Sequence, residues 1–316
     1  MTEAVSNRPA LPLVSILIPT HNRPDYLEIA LRSALAQTYK NIEIIVSDNS
    51  DDDASQARMA PFLIEHSHIK YLRSHGTNAD QNFSTCLEQA AGEYVNFLMD
   101  DDVFHPEKIQ RMVACYLGQP EIGMVTSCRQ LIDGDGHFLA PLPGTEPLFP
   151  QDTRIGGKSL GDLILSKGMN LIGESTTVLL RRSDIAQGFG WFCGRQFSTL
   201  SDVATWLSLL AHKDCVYLTD KLSYFRLHSG QDQRTGTVRI TAQIEWVMLA
   251  CLGHSNHLFL DDQQTMQSGL SSKLNNYISF IVSQQNQIRE GPIEVEAIKE
   301  SVCMALDVLL ANQKTI

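Results

Sequence analysis

The sequence lacks the features that mark membrane-spanning, exported and disulfide-stabilised proteins. No apolar stretch approaches the ~18 residues that suggest a membrane span. Residues 1–12 lack the basic start and the apolar segment of a signal peptide. The seven cysteines form no Cys-x-x-Cys pair, so we expect reduced thiols rather than disulfides or a metal site. These absences predict a cytoplasmic protein and leave peripheral contact with the inner face of the membrane open.

Basic residues are also in the minority. The 316 residues include 25 Lys and Arg against 36 Asp and Glu, which gives a formal net charge of −11. Nucleic-acid binding needs Lys and Arg to neutralise phosphates, so we expect no nucleic-acid partner. An acidic protein that handles an anionic ligand needs a metal ion or oriented backbone amides to overcome the repulsion.

Two common phosphate-binding loops are missing. No Gly-x-Gly-x-x-Gly follows the first predicted strand, and no Gly-x-x-x-x-Gly-Lys-[Ser/Thr] occurs in the chain. These absences argue against a dinucleotide-dependent dehydrogenase and against a P-loop enzyme.

Strand and helix patterns alternate over the first 130 residues. Short β-branched apolar runs at 14–18 and 42–46 are typical of buried parallel strands. Apolar residues at helical spacing from Leu27 to Leu35 predict a helix between these two strands. This alternation predicts a parallel sheet covered by helices on both faces. Further strands are predicted at 69–72, 94–98, 122–132, 176–180, 216–218 and 222–225, and further helices at 54–65, 78–91, 106–116, 159–167, 201–211 and after 241.

Polar clusters follow three of the predicted strands. Residues 20–23 (Thr-His-Asn-Arg) follow the first strand, Asp48 ends the second, and residues 100–102 (Asp-Asp-Asp) follow the strand at 94–98. Ligands of open α/β sheets bind beyond the carboxyl ends of the strands. We therefore expect these side chains to line one crevice.

The acidic triplet at 100–102 suggests a divalent cation. Adjacent carboxylates repel one another unless a cation relieves the repulsion, and oxygen ligands suit Mg²⁺ or Mn²⁺. The alternative is a solvated loop that caps the next helix. Asp48 and Asp202 are likewise either ligand-binding groups or helix caps, and an isolated histidine such as His228 is more often structural than a metal ligand.

Together these motifs resemble family 2 of the inverting glycosyltransferases with a GT-A fold. The segment VSILIPTHNRPDYLEIALRSALAQTYKNIEIIVSDNSDD is similar to the family's opening strand, Pro-Thr-x-Asn-Arg turn, helix and Asp-ending strand. The segment NADQNFSTCLEQAAGEYVNFLMDDDVFHPEKI is similar to its later helix, Gly-Glu-Tyr, strand and acidic motif. The resemblance covers about residues 13–130, is weaker over 170–230 and is absent after about 240.

The resemblance implies an α/β fold of the GT-A type, with a mostly parallel central sheet flanked by helices and a C-terminal helical extension. It implies a nucleotide-sugar-binding half at 1–130 and an acceptor-side half at 131–240. The helices of 241–316 are expected to pack on the catalytic core, to join copies of the chain into a homo-oligomer, or to recruit a partner.

The resemblance also assigns roles to residues. Asp202 matches the catalytic base, and Asp102 and His228 match the residues that bind Mn²⁺ or Mg²⁺. Asp48 matches the group that reads the nucleotide base, and Glu174 lies in a stretch that resembles the acceptor side. The donor nucleotide is expected to contact Pro19, Thr20, His21, Asn22, Arg23, Asp48, Asn82, Asp100 and Asp101.

These roles predict a metal-dependent, inverting transfer of a sugar from a nucleoside-diphosphate donor to a hydroxyl. The donor is expected to be a UDP-sugar by family habit, and the acceptor a glycan, a lipid-linked saccharide or a glycoconjugate. A nucleotidyltransferase that forms sugar nucleotides is one alternative. A catalytically weak sugar-nucleotide-binding subunit is another, because Met99 and Ser201 stand where many family members have Asp and Glu.

Overall fold

The computed structural model describes residues 11–142, 144–230, 236–284, 288 and 295–311. The strands are β1 (Val14–Thr20), β2 (Ile42–Asp48), β3 (Ile69–Arg73), β4 (Tyr94–Phe97), β5 (Val103–Phe104), β6 (Ile122–Ile132), β7 (Thr153–Ile155), β8 (Leu179–Arg181), β9 (Trp191–Phe192), β10 (Arg195–Gln196) and β11 (Asp214–Arg226). The helices are α1 (Pro24–Leu35), α2 (Ala54–Glu65), α3 (Ala79–Glu88), α4 (Lys108–Tyr116), α5 (Gly157–Lys167), α6 (Ser201–Leu210), α7 (Gly236–Ser255), α8 (Gln263–Ser283) and α9 (Val295–Ala311).

The central sheet has the strand order β3-β2-β1-β4-β8-β6-β11-β5, and β7 pairs with β11. Strands β1 to β4 pair in parallel, and so do the long strands β6 and β11. The short strand β8 is inserted antiparallel between β4 and β6. The two-residue strand β5 returns antiparallel onto β11. The expected α/β fold, with a mostly parallel sheet flanked by helices, is confirmed.

Strand β1 is buried on both faces of the sheet. Ile16 and Ile18 belong to an apolar cluster with Leu31 of α1 and Met112 of α4. Leu17 points to the opposite face, where it joins a cluster that includes apolar side chains of α3, α5 and α6. Successive residues of a strand alternate between faces, so a strand covered on both sides must be apolar throughout. This explains the continuous apolar run in the sequence.

The segment predicted as a strand at 176–180 begins instead with a single turn of 3₁₀ helix at Ser175–Thr177. The N–H of Thr177 and its hydroxyl both donate to the carbonyl oxygen of Glu174, at 2.8 and 2.7 Å. Short hydroxyl side chains compete with sheet pairing in this way. Strand β8 therefore starts two residues later, at the first leucine.

The two short strands predicted at 216–218 and 222–225 form a single strand, β11. Its pairing with β6 shifts register between Leu218 and Lys221 and again between Lys221 and Ser223. The polar residues 219–221 interrupt the apolar pattern without ending the strand. Irregularities of this kind bend a strand and change where its later side chains point.

The helices α7, α8 and α9 share the core of the sheet domain. Ile244 of α7 and Tyr277 of α8 belong to the same apolar cluster as Trp206 of α6. The predicted packing of the C-terminal helices on the core is therefore present, while the boundaries at 130 and 240 stay predictions. Over the described residues, none of the helices is both long enough and apolar enough to cross a membrane.

Candidate active site

The three polar clusters meet at one edge of the sheet, as the strand pattern predicts. Thr20 lies beside Asp48 in the register of β1 and β2. The hydroxyl of Thr20 donates to Oδ2 of Asp100 at 2.8 Å. Parallel strands end at the same edge, and this places the ends of β1, β2 and β4 side by side. The residues expected to bind a nucleotide therefore gather at this edge of the sheet.

The turn after β1 is shaped by Asn22, whose φ is +55°. Asparagine tolerates this left-handed conformation better than most residues. Its N–H donates to Oγ of Ser50 at 2.8 Å, and its side-chain oxygen accepts the N–H of Asp51 at 2.9 Å. His21 precedes it, and a ring nitrogen of His21 lies 3.0 Å from the carbonyl oxygen of Asn49. The turn is therefore fixed against the end of β2.

Arg23 reaches from this turn into the acidic triplet. Its Nη1 lies 3.1 Å from Oδ1 of Asp100 and 3.2 Å from Oδ2 of Asp101. Its Nη2 donates to the carbonyl oxygen of Gly230 at 2.9 Å. Burial and the neighbouring Asp101 charge raise the pKa of Asp100 to about 6, although Arg23 opposes them. Arg23 thus supplies a positive charge among these carboxylates.

Asp101 and His228 face each other across the crevice. The N–H of Gly230 donates to Nδ1 of His228 at 3.2 Å. The proton therefore sits on Nε2, which donates to Oδ2 of Asp101 at 3.0 Å. The ring of Tyr26 packs against His228, with 5.0 Å between the ring centroids. The two side chains are 9% and 12% exposed, and Asp101 lines the neighbouring cavity.

Asp102 is 1% exposed. Its Oδ2 accepts from the hydroxyl of Thr176 at 2.5 Å, and its Oδ1 accepts the N–H of Arg226 at 3.0 Å. Burial and the charge of Asp101 hold the pKa of Asp102 well above its usual range. Arg226 belongs to β11 and Thr176 to the 3₁₀ turn before β8, so two distant segments supply these donors. The side chain of Asp102, predicted to bind the metal, is thus held by Thr176 and Arg226, and His228 contacts Asp101.

Asp48 is fully buried at the end of β2. The N–H of Ser50 donates to Oδ1 at 2.8 Å, and Oδ2 accepts from the Tyr71 hydroxyl and from Nη1 of Arg73. Burial alone would raise the pKa of Asp48, but these hydrogen bonds outweigh it and the pKa is lowered. Asp48 is therefore ionised and is surrounded by donors of this chain.

Two of the predicted donor-binding residues lie behind the crevice. Pro19 is buried within β1. Asn82 of α3 is 3% exposed and donates from Nδ2 to the carbonyl oxygen of Thr20 at 3.2 Å and to Oδ1 of Asn49 at 3.1 Å. These contacts link α3 to the ends of β1 and β2.

Asp202, the residue predicted to be the catalytic base, lies in the first turn of α6. Its Oδ1 accepts the N–H of Val203 at 2.7 Å, and its Oδ2 accepts from Nδ2 of Asn170 at 2.8 Å. Burial raises the pKa of Asp202 to about 7; the Val203 N–H opposes this and the charge of Glu174 adds to it. A carboxyl group with a pKa near neutrality suits proton transfer at physiological pH.

A cavity of about 280 Å³ joins the two halves of the site. It is lined by Asp101 on one side and by Asp202 on the other, with Met99 between the strands and Asp80 at the start of α3. Glu174 also lines it and pairs with Arg129, whose Nε lies 2.9 Å from Oε2. Residues far apart in the sequence therefore face one space.

The crevice fits a divalent cation with two protein ligands. Asp101 offers a carboxylate oxygen, and His228 offers Nε2 of the neutral ring once its proton sits on Nδ1 in place of the Gly230 contact. Mg²⁺ and Mn²⁺ are commonly bound by one or two such side chains together with substrate phosphates and water. Within the described ranges, three ligand atoms come within 4.8 Å of one another only at Asp133, Asp135 and His137. That group lies on an exposed hairpin turn and does not include the acidic triplet.

Several residues of the site carried no clear signal in the sequence. Arg226 lies two residues before His228, yet its contact with Asp102 depends on the path of β11. Arg73 could have been found, because it is the last residue of β3 as Asp48 is the last residue of β2. Asn170 and Thr176 belong to irregular segments, where no periodic pattern in the sequence indicates which way a side chain points.

Comparison with known sequences agrees with this geometry. Residues 15–174 match the profile described as Glycosyl transferase family 2. The putative teichuronic acid biosynthesis glycosyltransferase TuaG of Bacillus subtilis is 29% identical over 220 residues, which is 68% of this chain and 79% of TuaG. Uncharacterized glycosyltransferases of Rickettsia species match at 33–40% identity, but the aligned stretch spans 17–40% of their length.

Comparison with solved structures extends the likeness to most of the chain. Staphylococcus aureus TarS in complex with UDP-GlcNAc matches with a TM-score of 0.62 over 94% of this chain and 81% of TarS, at 16% identity. The mannosyltransferase PcManGT of Pyrobaculum calidifontis, in complex with GDP-Man and Mn²⁺, matches with a TM-score of 0.56 over 94% of this chain and 81% of PcManGT, at 13% identity. These likenesses confirm the expected GT-A-type fold.

Proposed function

Because the chain belongs to glycosyl transferase family 2, we propose that it moves a sugar from a nucleoside-diphosphate donor to a hydroxyl of a glycan, a lipid-linked saccharide or a glycoconjugate. The observation that carries this proposal is the single cavity between Asp101 and Asp202. One end offers ligands for a metal-bound diphosphate, and the other offers a carboxylate with a pKa near neutrality.

The nucleotide is proposed to lie over the ends of β1, β2 and β4. Thr20, His21, Asn22, Arg23, Asp48 and Asp100 surround that crevice, while Pro19 and Asn82 support it from behind. Asp48 would accept a ring N–H of the base, a group that uracil, thymine and guanine share, only in exchange for one of its present donors Ser50, Tyr71 and Arg73. TarS bound to UDP-GlcNAc and PcManGT bound to GDP-Man are neighbours of the same fold. They support a nucleotide sugar as donor and leave the base open.

The sugar is proposed to be uncharged. The described lining of the cavity includes the carboxylates of Asp80, Glu174 and Asp202. Arg23, the basic group among the lining residues, is already paired with Asp100 and Asp101. An acidic sugar would meet like charge in a partly enclosed space.

The metal is proposed to lie at Asp101, with His228 as its second ligand. Asp102 matches the family's metal ligand by sequence, but its oxygens are held by Thr176 and Arg226, which favours Asp101. A bound Mn²⁺ or Mg²⁺ supplies positive charge against the diphosphate leaving group. Arg23, which contacts Asp101, adds a second positive charge nearby.

Asp202 is proposed to act as the general base. Asn170 and the N–H of Val203 fix its carboxylate towards the cavity. The acceptor hydroxyl would give its proton to Asp202 as its oxygen attacks the anomeric carbon, and the nucleoside diphosphate would leave from the opposite face. A single displacement of this kind inverts the anomeric configuration, whereas retention would need a carboxylate nucleophile.

The activity should depend on pH through Asp202. A base must be ionised, and its pKa is raised to about 7. We therefore expect kcat/KM to be level above about pH 8 and to fall about tenfold per pH unit below pH 7. Initial rates at saturating Mn²⁺ between pH 5.5 and 9 measure this fall, which is the acidic limb of the pH profile. A flat profile down to pH 5.5 would contradict the assignment of the base.

The function itself is tested with a panel of nucleotide sugars. The full chain is incubated with Mn²⁺ and with UDP-GlcNAc, UDP-glucose, UDP-glucuronic acid, GDP-mannose or a dTDP-sugar. We expect release of nucleoside diphosphate from a donor with an uncharged sugar, little from UDP-glucuronic acid, and none after chelation of the metal. Release of pyrophosphate from a nucleoside triphosphate and a sugar phosphate would instead support a nucleotidyltransferase. Donor binding without turnover of any donor would support the binding-subunit alternative.

A further inference from the structure

A carboxylate from the C-terminal helices holds the segment that leads into α6. Glu245 of α7 is 7% exposed. Its Oε1 accepts the N–H groups of Ser198 and Thr199 at 3.2 and 3.3 Å, and its Oε2 accepts the N–H of Leu200 at 2.6 Å. Three consecutive backbone donors thus converge on one buried side chain. Hydrogen bonds to an ionised acceptor are stronger than neutral ones.

The residue at the N-cap position of α6 does not cap the helix with its own side chain. Leu200 occupies the N-cap position, and no side-chain hydrogen bond caps the helix there. Most helices begin at Ser, Thr, Asp or Asn, whose side chains accept an N–H of the first turn. Here a residue 45 positions away in the sequence fixes the entry to the helix.

The segment held by Glu245 leads directly into the proposed base. Ser198, Thr199, Ser201 and Asp202 all line the cavity, and Asp202 follows Leu200 by two residues. We propose that Glu245 is a positioning residue that sets the orientation of Asp202 for proton transfer; this inference rests on the proposed role of Asp202. The C-terminal helices then contribute to sugar transfer as well as to the apolar core.

The charge of Glu245 also acts on Asp202. The pKa of Asp202 is raised mainly by burial, with smaller contributions from the charges of Glu174 and Glu245. Glu245 itself faces Asp80 and Arg195. Replacing Glu245 by a neutral residue should therefore move the acidic limb of the pH profile to lower pH. A contact that only supports folding would not move that limb.

A second link between the C-terminal helices and the sheet domain provides the matched control. Arg195 of β10 pairs through both Nη atoms with Glu300 of α9, at 2.6 and 2.9 Å. This pair is largely exposed and does not contact residues 198–202. Glu300→Gln therefore weakens the docking of the helices without touching the segment before α6.

The test compares Glu245→Ala, Glu245→Gln and Glu300→Gln in the full chain. Nucleoside diphosphate release is measured with Mn²⁺ and UDP-GlcNAc, or with the fastest donor of the panel. Donor binding is measured by calorimetry, and unfolding by differential scanning calorimetry. We expect Glu245→Ala to lower kcat about 10- to 100-fold with donor affinity unchanged, because small misplacements of a reacting group are costly. Glu245→Gln should lose less, since its amide oxygen still accepts an N–H, and its acidic limb should move to lower pH.

The outcomes separate this inference from the proposed function. Wild-type kcat and an unshifted limb in Glu245→Gln would overturn the positioning role, and this variant decides if Glu245→Ala does not fold. An equal loss in Glu300→Gln would also overturn it, because docking alone would then explain the effect. Full activity of Asp202→Asn would instead remove the proposed base. Inactive Asp202→Asn together with wild-type Glu245 variants would leave the proposed function intact and reject only this inference.

Discussion

Replacing Asp202 by Asn is expected to lower the rate of sugar transfer about 10²- to 10⁴-fold, the range that general-base catalysis contributes. The amide has nearly the shape of the carboxyl group and its oxygen can still accept the N–H of Val203. It cannot accept a proton from the acceptor hydroxyl. Donor binding depends on the crevice around Asp100 and Asp101, so calorimetry with UDP and Mn²⁺ should give unchanged affinity. Measuring rates and affinities on one preparation distinguishes a loss of catalysis from a loss of donor binding.

Asp262 offers a matched control for this variant. It is also an Asp at the start of a helix, where its side chain accepts the N–H of Thr265 at 2.7 Å, and it is not among the residues that line the cavity. Asp262→Asn should leave the transfer rate within about twofold of wild type, because it removes a charge outside the site. If Asp202→Asn kept near-wild-type activity, the base would have to be sought elsewhere in the cavity, with Glu174 as the next carboxylate.

Replacing Asp101 by Asn is expected to weaken metal-dependent donor binding by at least ~100-fold, since a carboxylate ligand contributes strongly to holding a divalent ion and its diphosphate. The amide oxygen can still accept the N–H of His228, so the expected loss comes from the missing charge. Calorimetric titrations of UDP with Mn²⁺ and with chelator measure the difference. The wild type should show a large gain in affinity from the metal, and the variant little or none.

Asp102→Asn is the companion variant, because the sequence motif favours Asp102 as the metal ligand and the geometry favours Asp101. Asp102 is buried and accepts from Thr176 and from the N–H of Arg226. We expect Asp102→Asn to keep most of the metal-dependent affinity and to lower the free energy of unfolding by about 1–3 kcal/mol, the cost of disturbing buried hydrogen bonds. Loss of metal dependence in Asp102→Asn, with Asp101→Asn unaffected, would restore the assignment made from the sequence motif.

The convergence of the crevice residues was predictable from the sequence. Thr20, Asp48 and Asp100 each follow an apolar run of the length and composition of a buried strand. Parallel strands end at one edge of the sheet, so the pattern that identifies the strands also predicts that these residues are neighbours. The start of α6 at Ser201 was likewise readable from its apolar spacing. That Asp202 shares a site with the acidic triplet was implied only by the resemblance to a known family.

The direction of each carboxylate in the triplet was not predictable. It depends on β5, two residues long and too short for any periodic pattern, which pairs with β11 and buries Asp102. The bend in β11 places Arg226 beside the triplet and His228 beyond it. The register shifts of that strand leave no recognisable pattern in the sequence. The sequence of the turn at Ser175–Thr177 likewise cannot be told from that of an ordinary strand.

Local patterns of the sequence by themselves determined the alternation of strands and helices, the edge at which a ligand binds and most of the polar groups gathered there. Those features follow from periodicity, which acts over a few neighbouring residues. Only the tertiary structure decided that Asp101 rather than Asp102 faces His228, that Asn170 orients Asp202, and that Glu245 holds the segment before it. Each of these depends on which distant segment supplies a hydrogen-bond partner once the chain has packed, and backbone groups removed from water must find one.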